Sequence, residues 1–430
     1  MAGRQTRAQL NARKAAEREK KWRKISRRSK IDAAFQGFYG LNSGDKLCQD
    51  FSYSKQASEL EIDLAARQVE HCLEAWNFLS QAAWGLVNAQ FNQATHMAYY
   101  SEIRAADSLF ASTGIAVKKN PSYYLNDVNK RVDIRGNGSG THSLIRGMWP
   151  TWCKRLDAIS VFERLKVTQT VSLKDVWNAM GVESLAESGL LVWGYELTNL
   201  SKDHSSRNIA SYEVRQTYEG IFPAQSEGKH RLLSLVWEHL APGGIDGQLR
   251  FEVLYAQYLI WGYAKQFANS EEFEDSQQEY DRNFARIINN ISENCGVSSD
   301  LLDALLRVDI AGDPLFEVFD LASQRDAGTE NIFSRAFILT RLATCRLNDS
   351  IEISRCGAVQ AWIQKWLFEL GVMKIGETPE DVTDSAEELI EKASSVSDER
   401  QSDLWPTCAA DAAEASRLNI ALCWGLSLQS

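Results

Sequence analysis

The cluster Arg135-Gly136-Asn137-Gly138-Ser139-Gly140-Thr141-His142 has the glycine content of a phosphate-binding loop. A nucleotide loop of the Walker type needs Lys and then Ser or Thr after its last glycine, because the ammonium must reach the β- and γ-phosphates and the hydroxyl must hold magnesium. Thr141 and His142 occupy those places, so Thr141 reads instead as the N-cap of a following helix, its hydroxyl satisfying a free first-turn amide. The acidic run Glu271, Glu272, Glu274 and Asp275 has no histidine beside it and reads as a solvated face. Eight cysteines are scattered without a CxxC or other short zinc spacing and read as small buried hydrophobes in a reducing compartment. No metal site and no cofactor is expected. His96 and His142 stand at or near helix starts, where an imidazole serves either as a satisfied structural group or as a proton-transfer group.

A more specific signal is three helical elements in order. Ala98-Tyr99-Tyr100-Ser101-Glu102-Ile103-Arg104-Ala105-Ala106 runs on through Leu109 to Gly114; Thr141-His142-Ser143 opens a helix through Trp149 and Trp152; Ser206-Arg207-Asn208-Ile209-Ala210-Ser211-Tyr212 opens a later segment. This arrangement resembles the HEPN family of small helical bundles over residues 66 to 219. The resemblance implies a metal-independent endoribonuclease in which an Arg followed by a polar residue, and a His five positions after the Arg, meet at a homodimer interface. There the His assists attack of a ribose 2′-hydroxyl on the adjacent phosphate and the Arg steadies charge on the phosphoryl oxygens. Arg207 and Asn208 match that pattern, and Tyr212 stands where the His belongs. A phenol with a pKa near 10 is about a thousandfold short of its ionised form at pH 7. It donates a hydrogen bond to phosphate or ribose more readily than it abstracts a proton. His204 is the nearest imidazole in sequence and the candidate replacement base.

The elements that would carry these residues are helical. Seven prolines leave long uninterrupted segments, and apolar residues recur at three- and four-residue spacing, as in Val69, Cys72, Leu73, Trp76, Leu79, Ala83, Leu86 and Val87. Helices are predicted at 60–91, 95–113, 141–167, 172–200, 205–219, 228–241, 249–269, 275–294, 298–308, 314–324, 330–347, 351–371, 380–396 and 408–427, with 114–140 a loop. Sustained period-two alternation is scarce, so the fold class is all-α: a multi-helix bundle with a HEPN-like domain at 36–222, a linker at 223–248 and a second helical domain at 249–430. The Ser-rich, acidic stretch 373–406 reads as mobile. Arg335 and Arg341, on the margins of an apolar helix, read as partners of acids, with ligand binding the alternative; Trp362 and Trp366 read as a helix–helix contact.

Charge is divided unevenly. Residues 1–30 hold 12 Lys or Arg against Glu17 and Glu19, a local charge of +10, and the other 400 residues carry −20. The arm at 1–35, with Arg13, Lys14, Arg18, Lys20, Lys21, Arg23, Lys24, Arg27 and Arg28, can neutralise phosphates or dock on an acidic protein surface. No stretch approaches the roughly 18 apolar residues of a membrane span and the N-terminus has no apolar signal core, so a cytoplasmic location is expected. The expected partners are RNA or DNA, or a protein of the same system. Three functions follow: a catalytically weak or inactive HEPN-like protein that binds nucleic acid or a partner, in bacterial antiviral defence or a toxin–antitoxin setting; a metal-independent ribonuclease; and a helical scaffold subunit.

Overall fold

The computed structural model describes residues 59–118, 121–125, 131–134, 141–182, 185–194, 197, 229–241, 250–266, 273–326, 328–354, 363, 388, 391–392 and 413–420. These residues are mostly helical. Helix α1 (Glu59–Val87) and helix α2 (Phe91–Ser112) form a hairpin. The apolar positions that predicted α1, from Val69 to Val87, are all buried, as a 3.6-residue period requires of a helix with one face in a core. The hairpin turns tightly because Gly85 has no side chain: a Cβ there would lie 2.9 Å from the backbone nitrogen of Ala94.

Residues 114–140, expected as loop, include a three-stranded antiparallel sheet: β1 (Ile115–Ala116), β2 (Ser122–Leu125) and β3 (Arg131–Ile134). Tyr123 pairs with Ala116 on one side and Asp133 on the other. Strands of two to four residues are too short for alternation to show in the sequence. They are held by tertiary contact, since Tyr123 is fully buried with Leu64, Ala111, Ala116 and Leu125 and its hydroxyl donates to Asp63 at 2.9 Å.

The helix expected at 141–167 is three pieces: α3 (Thr141–Trp152), α4 (Leu156–Ile159) and α5 (Val161–Arg164). Pro150 lies in the last turn of α3, where its missing N–H removes a helical hydrogen bond. The helix expected at 172–200 is likewise α6 (Leu173–Met180) and α7 (Leu185–Trp193). Gly181, in the left-handed region at φ 74°, ends α6 and donates to Asn178 O. Then follow α8 (Lys229–Leu240), α9 (Arg250–Gln266), α10 (Phe273–Cys295) and α11 (Ser299–Leu306). Asp313 caps a 3-10 turn at Pro314–Phe316 that leads into α12 (Glu317–Ser323), and α13 (Thr329–Ser354) is seven residues longer at its C-terminal end than its periodicity indicated.

Helix α13 lies against both arms of the α1–α2 hairpin. Trp76 Nε1 donates to Thr344 Oγ1 at 2.7 Å and Gln68 Nε2 to Ser350 Oγ at 3.1 Å, while Thr329 meets Thr95 at 2.9 Å and Thr340 meets Ser101 at 3.0 Å. It therefore runs antiparallel to α1 and parallel to α2. One connected apolar core joins residues from Ala65 to Ile420, on both sides of 223–248. Trp237 of α8 donates to Ala415 O at 2.7 Å, and the Asn419 amide donates to Ser80 of α1 at 2.8 Å. Among the described residues no helix is long and apolar enough to cross a membrane.

Candidate functional site

Arg207, Asn208, Tyr212 and His204, the basic arm, and the glycines at 136, 138 and 140 all lie outside the described residues, as do Trp362 and Trp366. The other two motif elements do not. Tyr99 and Tyr100 lie midway along α2, and Thr141 and His142 are the first two residues of α3, which puts Thr141 inside the helix rather than before it. Helix α2 begins four residues earlier than predicted, so His96 sits in its second turn instead of at its start.

Two four-residue spacings build the site. His96 and Tyr100 share one face of α2, and His142 and Arg146 share one face of α3. The packing of α2 on α3 then assembles the rings. Tyr100 stacks on Phe78 of α1 at 5.4 Å between centroids, and it meets His96 edge-on at 4.8 Å and His142 edge-on at 5.5 Å. Tyr99, fully buried beside it, approaches His142 at 6.1 Å. Arg146 is also buried and donates from Nη2 to the Tyr99 hydroxyl at 2.7 Å. One turn further along α3, Trp149 stacks on Trp152 at 5.1 Å and donates to Leu190 O at 3.1 Å, which anchors this helix to α7.

Tyr100, His96 and His142 are half-buried, whereas Tyr99 and Arg146 face inward. The chemistry available is therefore two imidazoles near one phenol, above a guanidinium–phenol hydrogen bond. Imidazoles exchange protons between about pH 5 and 8, and phenols donate to phosphate or ribose oxygens. Sequence reading passed over Arg146, although its place four residues after His142 on a short amphipathic helix was visible.

A second titratable group lies between α1 and α2 and was also missed. Glu74 Oε2 is 3.1 Å from both His71 Nδ1 and Arg104 Nε, and Arg104 Nη1 is 3.8 Å from Asp107. Burial raises the Asp107 carboxyl above its ordinary range, and the nearby charges of His71 and Arg104 only partly offset it. The three-residue spacings His71–Glu74 and Arg104–Asp107 were the available signal. Beside this group, Asp63 accepts from Arg67 Nε at 3.3 Å and lies 2.5 Å from Lys118 Nζ. Burial would raise its carboxyl, but the Lys118 hydrogen bond and the charges of Arg67 and Lys118 hold it well below the usual range.

Arg335 and Arg341 pair with acids, as expected. Arg341 Nη2 donates to Glu252 Oε1 at 2.5 Å. Arg335 Nε is 3.7 Å from Glu102, and its Nη atoms donate to the carbonyls of Gln324 and Asp326 at 2.7 and 3.0 Å. Both arginines are buried in the core and hold helices together.

No family model, no curated protein and no solved structure matches this chain.

Proposed function

We propose that the protein binds single-stranded RNA as a HEPN-type helical protein with weak or no cleavage activity, in a bacterial antiviral or toxin–antitoxin setting. The observation that supports this is the meeting of the Tyr99-Tyr100 and Thr141-His142 elements, 41 or more residues apart in sequence, in one half-buried cluster. In this reading Tyr100, His96 and His142 contact ribose and phosphate, and Arg207, Asn208 and Tyr212 are the further RNA-binding residues that the family resemblance implies. Arg146 positions the Tyr99 phenol. The arm at 1–30 supplies sequence-independent attraction to phosphates.

A second reading, metal-independent cleavage, draws on the two imidazoles beside Tyr100. A pair of imidazoles can take the proton from a 2′-hydroxyl and return one to the leaving 5′-oxygen. His96, His142 and His204 are then the candidate bases, and Arg207 the group that stabilises phosphoryl charge.

End-labelled single-stranded RNA incubated with the protein in EDTA separates the readings. Binding that weakens about tenfold or more in His142→Ala, with intact RNA throughout, is the expected result. Cleavage leaving cyclic-phosphate ends that is lost in Arg207→Ala would establish the ribonuclease reading. Absence of both binding and cleavage from the well-folded protein would leave the scaffold reading. Deleting residues 1–30 is expected to remove most of the salt dependence of binding.

A further inference from the structure

Helices α7, α9 and α12 meet around a cavity of about 180 Å³. Its lining includes Trp193, Tyr255, Tyr258 and Phe319, with Gly189 and Ser323. The four aromatic rings form a continuous series. Trp193 meets Tyr255 at 5.4 Å, Tyr255 meets Phe319 at 5.2 Å, and Phe319 meets Tyr258 at 5.1 Å between centroids. Gly189 contributes only backbone to the wall, and a Cβ there would make ordinary contact with the Trp193 ring at 3.4 Å.

The polar groups of this cavity select the charge of what enters. Among the described residues, no Lys, Arg or His lines it. The Tyr258 hydroxyl donates to Asp320 Oδ1 at 3.0 Å, which brings a carboxylate to the edge of the aromatic series. Glu317, three residues before Asp320, is engaged by Arg231 at 3.2 Å. Both phenols are neutral at physiological pH, and burial pushes the Tyr258 phenol up to about 12 and the Tyr255 phenol well above its ordinary value. An anion such as a nucleotide phosphate finds no counter-charge among the described lining residues. A compact cation finds the π-faces of neutral aromatic rings and, on Tyr258, a hydrogen-bonded carboxylate.

We propose that this cavity binds an organic cation, specifically a methylated ammonium group, held by the faces of Trp193, Tyr255, Tyr258 and Phe319 and favoured by the Asp320 carboxylate that accepts from the Tyr258 hydroxyl. Ring quadrupoles attract such cations, and quaternary ammonium groups are the ligands best suited to them because their charge is weakly hydrated and spread over methyl surface. The size agrees, since a dry cavity of roughly 150 Å³ accommodates benzene, and a trimethylammonium head is comparable in bulk. The site is separate from the RNA reading and stands or falls independently of it.

Calorimetric titration of the full-length protein with choline and with dimethylbutanol, the uncharged isostere carrying a tert-butyl group, tests the assignment. Choline is expected to bind at least about tenfold more tightly than the isostere. Asp320→Asn, which keeps the shape and a hydrogen-bond acceptor, should narrow that gap. Tyr258→Leu, which removes one ring from a half-buried position, should weaken choline more than dimethylbutanol, with circular dichroism confirming the fold of each variant. Equal affinity for the two probes would reduce the cavity to an apolar hole and overturn the proposal, as would an absence of binding by either.

Discussion

His239 is fully buried in α8 among three phenylalanine rings, Phe319 at 5.1 Å, Phe337 at 6.1 Å and Phe251 at 6.4 Å. Its Nδ1–H donates to Leu235 O at 2.7 Å, and Nε2 finds no partner among the described residues. Burial lowers its pKa from an ordinary 6.5 to about 4, so the folded protein keeps the imidazole neutral. Above pH 6.5 both folded and unfolded chains hold it neutral and it has no effect on stability. As pH falls from about 6.5 toward 4 the unfolded chain takes a proton that the folded one refuses, which costs on the order of 3 kcal/mol by pH 4. Asp63 acts at lower pH: its depressed carboxyl contributes stability above the ordinary Asp range and loses it as pH falls through the folded value. Denaturant unfolding at pH 7 and pH 4.5 should show a marked loss for the native chain. His239→Phe, which suits the ring pocket, should flatten the part between pH 6.5 and 4.5; an unchanged slope would show that another group controls it.

At the scale of elements, the local chemistry of α6 accounts for its limits. Ser172 and Asp175 form a capping box, with the Ser172 amide donating to Asp175 Oδ2 at 2.8 Å and the Asp175 amide to Ser172 Oγ at 3.3 Å. The pattern Ser-x-x-Asp before an apolar helix is visible in the sequence, and the predicted start at 172 agrees with the observed cap. Ser172→Ala should cost about 1 kcal/mol in a two-state urea titration, with Ser172→Asp largely restoring it. No change with Ser172→Ala would mean that the cap is redundant with the packing of Leu173, Val176 and Trp177. The short strands and the breaks inside 141–167 were not legible in this way. Their limits depend on contacts from elsewhere, such as the Tyr123–Asp63 hydrogen bond and the Trp149 anchor on α7.

At the scale of the molecule, α13 is what makes one core of segments distant in sequence. Its buried Arg341 reaches Glu252 of α9, and Cys345 Sγ, one turn on, donates to the same oxygen at 3.3 Å. Removing one member of such a pair strands a buried charge. Arg341→Met should therefore destabilise by about 3–5 kcal/mol, while the double variant Arg341→Met with Glu252→Leu should recover most of that loss. Additive losses in the double-mutant cycle would show that the two side chains do not act as a pair. A linker at 223–248 was expected from Pro223, Pro242 and nearby glycines, all of which lie outside the described residues; among the described residues, apolar side chains from before and after it belong to one core.

The sequence by itself determined the helical class and, among the described residues, the limits of several helices such as 228–241, 298–308 and 314–324 to within about two residues, because spacing of apolar residues, prolines and caps acts over a few residues at a time. The helices expected at 205–219 and 380–396 lie outside the described residues or nearly so. It also singled out Tyr99, Tyr100 and His142 as residues to watch. Only the tertiary structure decided that these three meet Arg146 in one cluster, that Arg335 and Arg341 are held by Glu102 and Glu252, and that four aromatic rings line one cavity, with Asp320 hydrogen-bonded to Tyr258. Each of those depends on which helix faces lie against one another. That choice is made by burial summed over the whole core, and no local window of residues contains it.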